Sequence, residues 1–196
     1  MNLLTAKRTA RVLADRGGYN LYAAGMNPLI FEEFIGEILD RDLEPVVWEP
    51  FSGPSAKRFL DFSESVMVNL ISYDLNPMDD RVMNMDSTMN GPRVSIGGIL
   101  FHPPYFGSAP LSGSAGDIGR IRDMDEYKQA LRSTIQLGAA MMAPSSLVCV
   151  VGRHYRFDGK PIHLDAIMGE LMENEGFRLL DVWISTPDIV QIMEKL

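Results

Sequence analysis

The feature that most restricts this chain is its alternation of short, wholly apolar runs with stretches whose apolar residues recur at helical spacing. The run Leu147-Val148-Cys149-Val150-Val151 contains no polar position. A strand of that kind is covered on both faces, which is the condition inside a largely parallel sheet. Residues 94–101 form a second, glycine-containing apolar stretch, and residues 45–48, 66–73 and 81–85 read as further strands. Residues 177–185 read as a final strand region. Between them, residues 28–39 place Leu29, Ile30, Phe34, Ile35, Ile38 and Leu39 on one side of a helix and Glu32, Glu33 and Glu37 on the wet side. Residues 56–62, 124–142 and 162–174 read as further helices. Asp123 is placed to cap one of these, Pro144 lies where it would stop, and Gly176 suits the C-terminus of another. The pattern predicts an α/β fold with a mostly parallel twisted sheet and helices on both faces.

A chain of 196 residues with 46% hydrophobic content builds such a core without crosslinks. Its one cysteine, Cys149, excludes an internal disulfide and any site that needs a cysteine pair, and fits a reducing, cytoplasmic setting. No run reaches the ~18 apolar residues that a membrane span requires.

In open parallel sheets, ligands lie beyond the carboxyl ends of the strands. The residues there are Glu49-Pro50-Phe51-Ser52-Gly53, Asp74-Leu75-Asn76-Pro77, Asp86-Ser87-Thr88, His102-Pro103-Pro104-Tyr105-Phe106 and Arg153-His154-Tyr155-Arg156. Gly53 allows close approach of a ligand to the backbone. Asp74, about 20 positions on, is spaced to accept hydrogen bonds from ribose hydroxyls. Two prolines and an aromatic ring directly after a buried strand make a stiff bend with few backbone donors. Such a bend can stack on a planar base and offer carbonyls to an amino group. The competing reading of each cluster is a plain strand-ending turn.

Taken in order, the PFSG, YDLNP, MDS and HPPYF segments resemble the amino-group DNA methyltransferases of the N6-adenine and N4-cytosine type, over residues 25–186. The resemblance implies a Rossmann-like class I fold and S-adenosylmethionine (SAM) as cofactor. It also implies methyl transfer to a nucleobase amino group, with DNA the favoured substrate. On this basis Phe51 and Gly53 line the cofactor turn, Asp74 binds its ribose, and Asp86 lies near its adenine. Asn27, in Asn27-Pro28-Leu29-Ile30-Phe31, helps to cradle its methionine end. His102, Pro103, Pro104 and Tyr105 form the catalytic pocket, with Phe106, Arg153 and His154 towards the substrate. RNA, an unusual phage-type nucleobase, and a non-catalytic subunit are the alternatives.

The chain departs from that family in three places. Pro54 and Ser55 alter the cofactor turn, Glu49 replaces an aspartate, and His102 stands where aspartate, asparagine or serine is usual. Neutral histidine accepts through a single ring nitrogen, and protonated histidine accepts nothing. His102 therefore polarises an amine while neutral, acts as a general base on another atom, or marks lost chemistry. His154 and His163 show no ligand spacing in the sequence, so no metal is expected.

The formal net charge is −8, the wrong sign for a chain that holds nucleic acid with its whole surface. Local basic clusters (Lys7, Arg8, Arg11 and Arg16; Arg120 and Arg122; Arg153, Arg156 and Lys160) predict a weakly DNA-binding positive face on an acidic body. Residues 107–119 have the composition of a mobile lid. Residues 1–24 read as a helical extension and 25–196 as a single catalytic domain without a separate recognition domain. Such a chain would have a loose sequence preference, or a protein partner or a homodimer would supply target choice. A bacterial, archaeal or phage source fits.

Overall fold

The structure is a computed structural model and describes residues 11–13, 26–53, 56–108 and 116–196. Its strands are β1 (Arg11–Val12), β2 (Val46–Glu49), β3 (Asn69–Asp74), β4 (Met83–Asn84), β5 (Ile96–Phe101), β6 (Met142–Phe157), β7 (Lys160–His163), β8 (Phe177–Ser185) and β9 (Asp188–Lys195). The α-helices are α1 (Pro28–Asp40), α2 (Ala56–Ser65), α3 (Met124–Ala139) and α4 (Leu164–Asn174). The strands form one sheet in the order β1-β8-β9-β6-β5-β2-β3-β4, with β7 paired to β6 outside this path. Neighbours from β4 through to β6 are parallel, whereas β9 runs antiparallel to both β6 and β8.

Alternation along the central strands explains why both faces carry helices. Leu147, Cys149 and Val151 of β6 join Val47, Leu70 and Leu100 in a core with Ile30, Phe34 and Ile38 of α1 and Phe59 and Leu60 of α2. Val148 and Val150 point the other way and join Trp48, Ile99 and Phe101 in a core with Tyr127, Leu131 and Ile135 of α3 and Leu164 and Met168 of α4. Successive side chains on a strand leave opposite faces, so an all-apolar run must be sandwiched. Cys149 is a fully buried hydrophobe in this arrangement, and burial pushes its thiol pKa well up. The Asp123 carboxylate accepts from the Asp125 and Glu126 amides at 2.9 and 3.0 Å and starts α3. Gly176, at φ +85°, ends α4 as expected.

The structure corrects four expectations. The stretch 153–160 is not a loop. Arg153 to Phe157 pair with β9 or β7, and the turn is confined to Asp158 (φ +49°) and Gly159 (φ +73°). An Asp-Gly pair with both φ values positive matches the right-handed twist of a hairpin. Pro144 does not stop a helix. It lies where the β5–β6 register jumps from Met142 to Leu147, so its missing N–H removes no ladder bond. Arg11–Val12 is a strand beside β8 rather than part of a helix; residues 1–10 and 14–25 lie outside the described residues. Finally, a strand absent from the sequence reading, β9, fills the space between β6 and β8.

The centre of the sheet tolerates no added atoms. A Cβ on Gly97 would lie 2.1 Å from the Glu44 carbonyl oxygen, which is backbone, whereas one on Gly98 would meet the side-chain ends Ile38 Cδ1 at 2.7 Å and Phe34 Cζ at 2.9 Å. Gly97→Ala should therefore cost about 1–3 kcal/mol, and Gly98→Ala less, because side-chain ends yield more easily than backbone. Urea-unfolding midpoints of the two variants check the order.

Candidate functional site

Chain order reverses between β2 and β5. From β2 the chain passes outward to β3 and β4, then returns to the other side of β2 through β5. The crevice of an open α/β sheet lies at such a point, beyond the carboxyl ends of the strands. Here those ends are the turn after Glu49 and the bend after Phe101. They touch: the Phe51 and Phe101 rings meet edge to face at 5.3 Å.

On the β2 side, Glu49 is buried and its Oε2 accepts from the hydroxyls of Ser52 (2.9 Å) and Ser72 (2.8 Å). Burial pushes its pKa up from 4.5 to about 7, against the lowering effect of both serines and with the Asp74 charge adding to the rise. Gly53 has φ +109° and open space where a Cβ would point. That is a backbone conformation that favours glycine, and a ligand could approach the backbone there. Asp74 ends β3, with its Oδ1 accepting from the Asn76 amide at 2.7 Å. Asp86 follows β4, its Oδ1 bonded by the Thr88 amide and hydroxyl, and its Oδ2 lies against Gly116. Asn27 is buried as the N-cap of α1: its Oδ1 accepts from the Leu29 amide, and its Nδ2 donates to Ser185 Oγ at 2.9 Å. It thus anchors α1 to the end of β8.

On the β5 side, His102 is partly buried. Desolvation and then the Arg153 charge push its pKa from 6.5 down to about 4, so the ring is neutral at physiological pH. The Tyr105 ring lies edge-on to it at 6.1 Å and stacks on Tyr155 at 5.1 Å. Burial raises the Tyr105 pKa to about 12. The Pro104 carbonyl is already taken, accepting the Tyr127 hydroxyl at 2.7 Å.

Three assignments change. Phe106, expected to face substrate, turns into the core between Tyr127 and Phe157. Arg153, expected to extend a positive face, forms a largely buried pair with Asp188 at 2.7 Å and lies near the Tyr105 ring. His154 and His163, expected to be unrelated, face each other across the β6–β7 hairpin with ring centroids 4.4 Å apart, beside Asp165. Arg122 reaches over Phe157 at 5.5 Å, so the two basic segments do adjoin. Of the lid, residues 109–115 lie outside the described residues. Its flanks are tied down, with the Arg122 guanidinium donating to the carbonyls of Ser108 and Gly119.

Sequence reasoning placed Tyr155 in a strand-end cluster without a role, and gave none to Tyr127 or Asp188. The Asp158-Gly159 pair flanked by apolar and aromatic residues was the available signal for the hairpin that carries Tyr155.

Comparison with solved structures finds that this fold is shared with SAM-dependent methyltransferases. A 1,6-didemethyltoxoflavin-N1-methyltransferase from Burkholderia thailandensis superposes with a TM-score of 0.55 at 12% identity, covering 85% of this chain and 78% of that one. The N-methyltransferase NodS from Bradyrhizobium japonicum gives 0.52 at 10% identity, over 86% and 87%. A SAM-dependent methyltransferase from Clostridium acetobutylicum gives 0.53 at 10% identity, over 89% and 94%. No protein-family model matches the sequence, and no curated protein matches it.

Glu49 and His102 pull stability in opposite directions with pH. Folded Glu49 holds its proton up to about pH 7 whereas the ordinary carboxyl value is 4.5, so its contribution falls as pH rises through that window. The difference is worth about 3 kcal/mol. Folded His102 loses its proton near pH 4 rather than 6.5, so its contribution grows as pH rises through that window. Glu49→Gln should steepen the gain of stability between pH 4 and 6.5, and His102→Asn should reveal the opposing loss. Parallel pH profiles of urea-unfolding free energy for both variants and the unaltered protein would contradict these protonation states.

Proposed function

We propose that the protein is a SAM-dependent methyltransferase acting on the amino group of a nucleobase, with DNA as first candidate. The observation that carries this reading is the meeting of two elements at the switch point: the Phe51–Gly53 turn, with Gly53 at φ +109°, and the bend that follows Phe101, joined by the Phe51–Phe101 ring contact. The residues present fit the cofactor. Gly53 leaves room for it against the backbone, and the Asp74 carboxylate ends the neighbouring strand where ribose hydroxyls would be bound. When bound, SAM supplies an electrophilic methyl group on a sulfonium.

The chain's own residues orient the acceptor. Neutral His102 accepts a hydrogen bond from the substrate amine through one ring nitrogen and thereby fixes the nitrogen lone pair. With a pKa near 4 it is too weak a base to retain that proton at neutral pH, so it positions the amine and the proton passes to water. The Pro103 carbonyl is the second acceptor, since that of Pro104 is bound by Tyr127. Tyr105 is held by Tyr155, with the Arg153 guanidinium 5.7 Å from its ring centroid, and would meet a flat heterocycle beside His102.

A second reading, a free heterocyclic amine rather than a base within a polymer, is favoured by the Arg153–Asp188 pair. That pair removes one cation from the basic face of a chain with net charge −8. It also accords with the Burkholderia structure, which holds 1,6-didemethyltoxoflavin.

Labelled SAM offered with duplex DNA, single-stranded DNA, RNA and free nucleosides, followed by mass spectrometry of nucleosides, separates the readings. Transfer to DNA supports the first, and transfer to free nucleosides alone supports the second. No transfer to any of them, together with no SAM heat in calorimetry, overturns both. Asp74→Ala should weaken SAM binding about 10–100-fold through lost charged hydrogen bonds. His102→Ala should slow transfer about 100-fold with SAM affinity retained. The rate should show no His102-linked fall between pH 8 and pH 5.5, because about 4 is where that ring protonates.

A further inference from the structure

We propose that His154, His163 and Asp165 form a binding site for a first-row transition-metal dication of the zinc type, on the outer face of the β6–β7 hairpin. Their ligand atoms all lie within 4.8 Å of one another. The hairpin register sets His154 directly opposite His163, and α4 begins one residue later, so Asp165 in its first turn completes the cluster.

Two details distinguish this cluster from a chance meeting of surface side chains. His163 occupies the N-cap position of α4 but makes no side-chain capping bond, and its ring instead lies edge-on to His154. Asp165 Oδ1 is shut off from solvent, and the contact it makes is with His154 Nε2 at 2.8 Å. The fold thus holds a carboxylate oxygen and an imidazole nitrogen side by side, with the second imidazole within the same 4.8 Å cluster, as a shared cation would require. Two imidazoles and one carboxylate suit zinc, cobalt or nickel, with a coordination position left open for water, and do not suit magnesium or calcium.

The site is separate from the crevice. Side chains alternate along β6, so His154 lies on one face of the hairpin while Arg153 and Tyr155 lie on the other, against Tyr105. A bound metal would fasten the hairpin to the start of α4 and so brace the aromatic wall behind Tyr105. This inference does not depend on the proposed reaction.

The test uses the full chain, tag-free and stripped with chelator, titrated with zinc alone. The chain has three histidines, His102, His154 and His163. One equivalent of zinc should shift the imidazole NMR resonances of His154 and His163 and leave those of His102 in place. Calorimetry should give a single saturable event, and His163→Gln should weaken it at least about tenfold, since even outer-shell partners of a metal carry that much affinity. Cobalt should give the visible bands of a low-coordinate site. Absence of saturable zinc binding tighter than roughly 1 mM, a shift of His102 alone, or equal affinity in a folded His163→Gln variant would each overturn the proposal. The NMR result on the unaltered protein stands even where the variant fails to fold.

Discussion

Burial of the three middle strands on both faces is the constraint from which the rest follows. β2, β5 and the Leu147–Val151 stretch of β6 have no wet side, so any polar group in this part of the sheet must lie at a strand end or find a partner inside. Val148 and Val150 are claimed by α3 and α4, while Leu147, Cys149 and Val151 face α1. What remains for chemistry is the rim where the strands stop. The chain order reverses between β2 and β5, the place on the rim where open α/β sheets bind ligands.

The electrostatics of that rim form a consistent pattern. Glu49 is driven towards its neutral form, His102 is held neutral, and the Tyr105 hydroxyl is kept protonated, in each case chiefly by desolvation. The one close pair of full charges, Arg153 and Asp188, cancels itself. The rim thus sets neutral polar groups beside the Asp74 carboxylate at the end of β3.

Legibility in the sequence followed the strength of the local signal. The apolar runs and the helical stripe from Leu29 to Ile38 announced themselves because each is long and one-sided or wholly apolar, and Asp123 and Gly176 marked helix ends by local hydrogen bonding and backbone angle. The strand after Ser185 was missed. In β9 the apolar Ile192 and Met193 are adjacent, which breaks the period-two pattern, and its place depends on partners far along the chain. The polar look of 153–160 hid a hairpin, because an outward-facing strand reads as a loop unless its turn is recognised. In the site, the HPPYF bend and the Gly53 turn were readable as local geometry. Which of their groups are already engaged was not: the Pro104 carbonyl is bound by Tyr127, and Phe106 is enclosed by Tyr127 and Phe157.

The sequence by itself determined the alternation of buried strands and amphipathic helices, and with it the α/β architecture and the rim where ligands belong, because periodicity and turn chemistry act over a few neighbouring residues. Tertiary structure alone decided the protonation state of His102, the pairing of Arg153 with Asp188 and the meeting of His154 with His163 and Asp165. Those depend on burial and on strand register, which arise only when segments distant in the chain pack together.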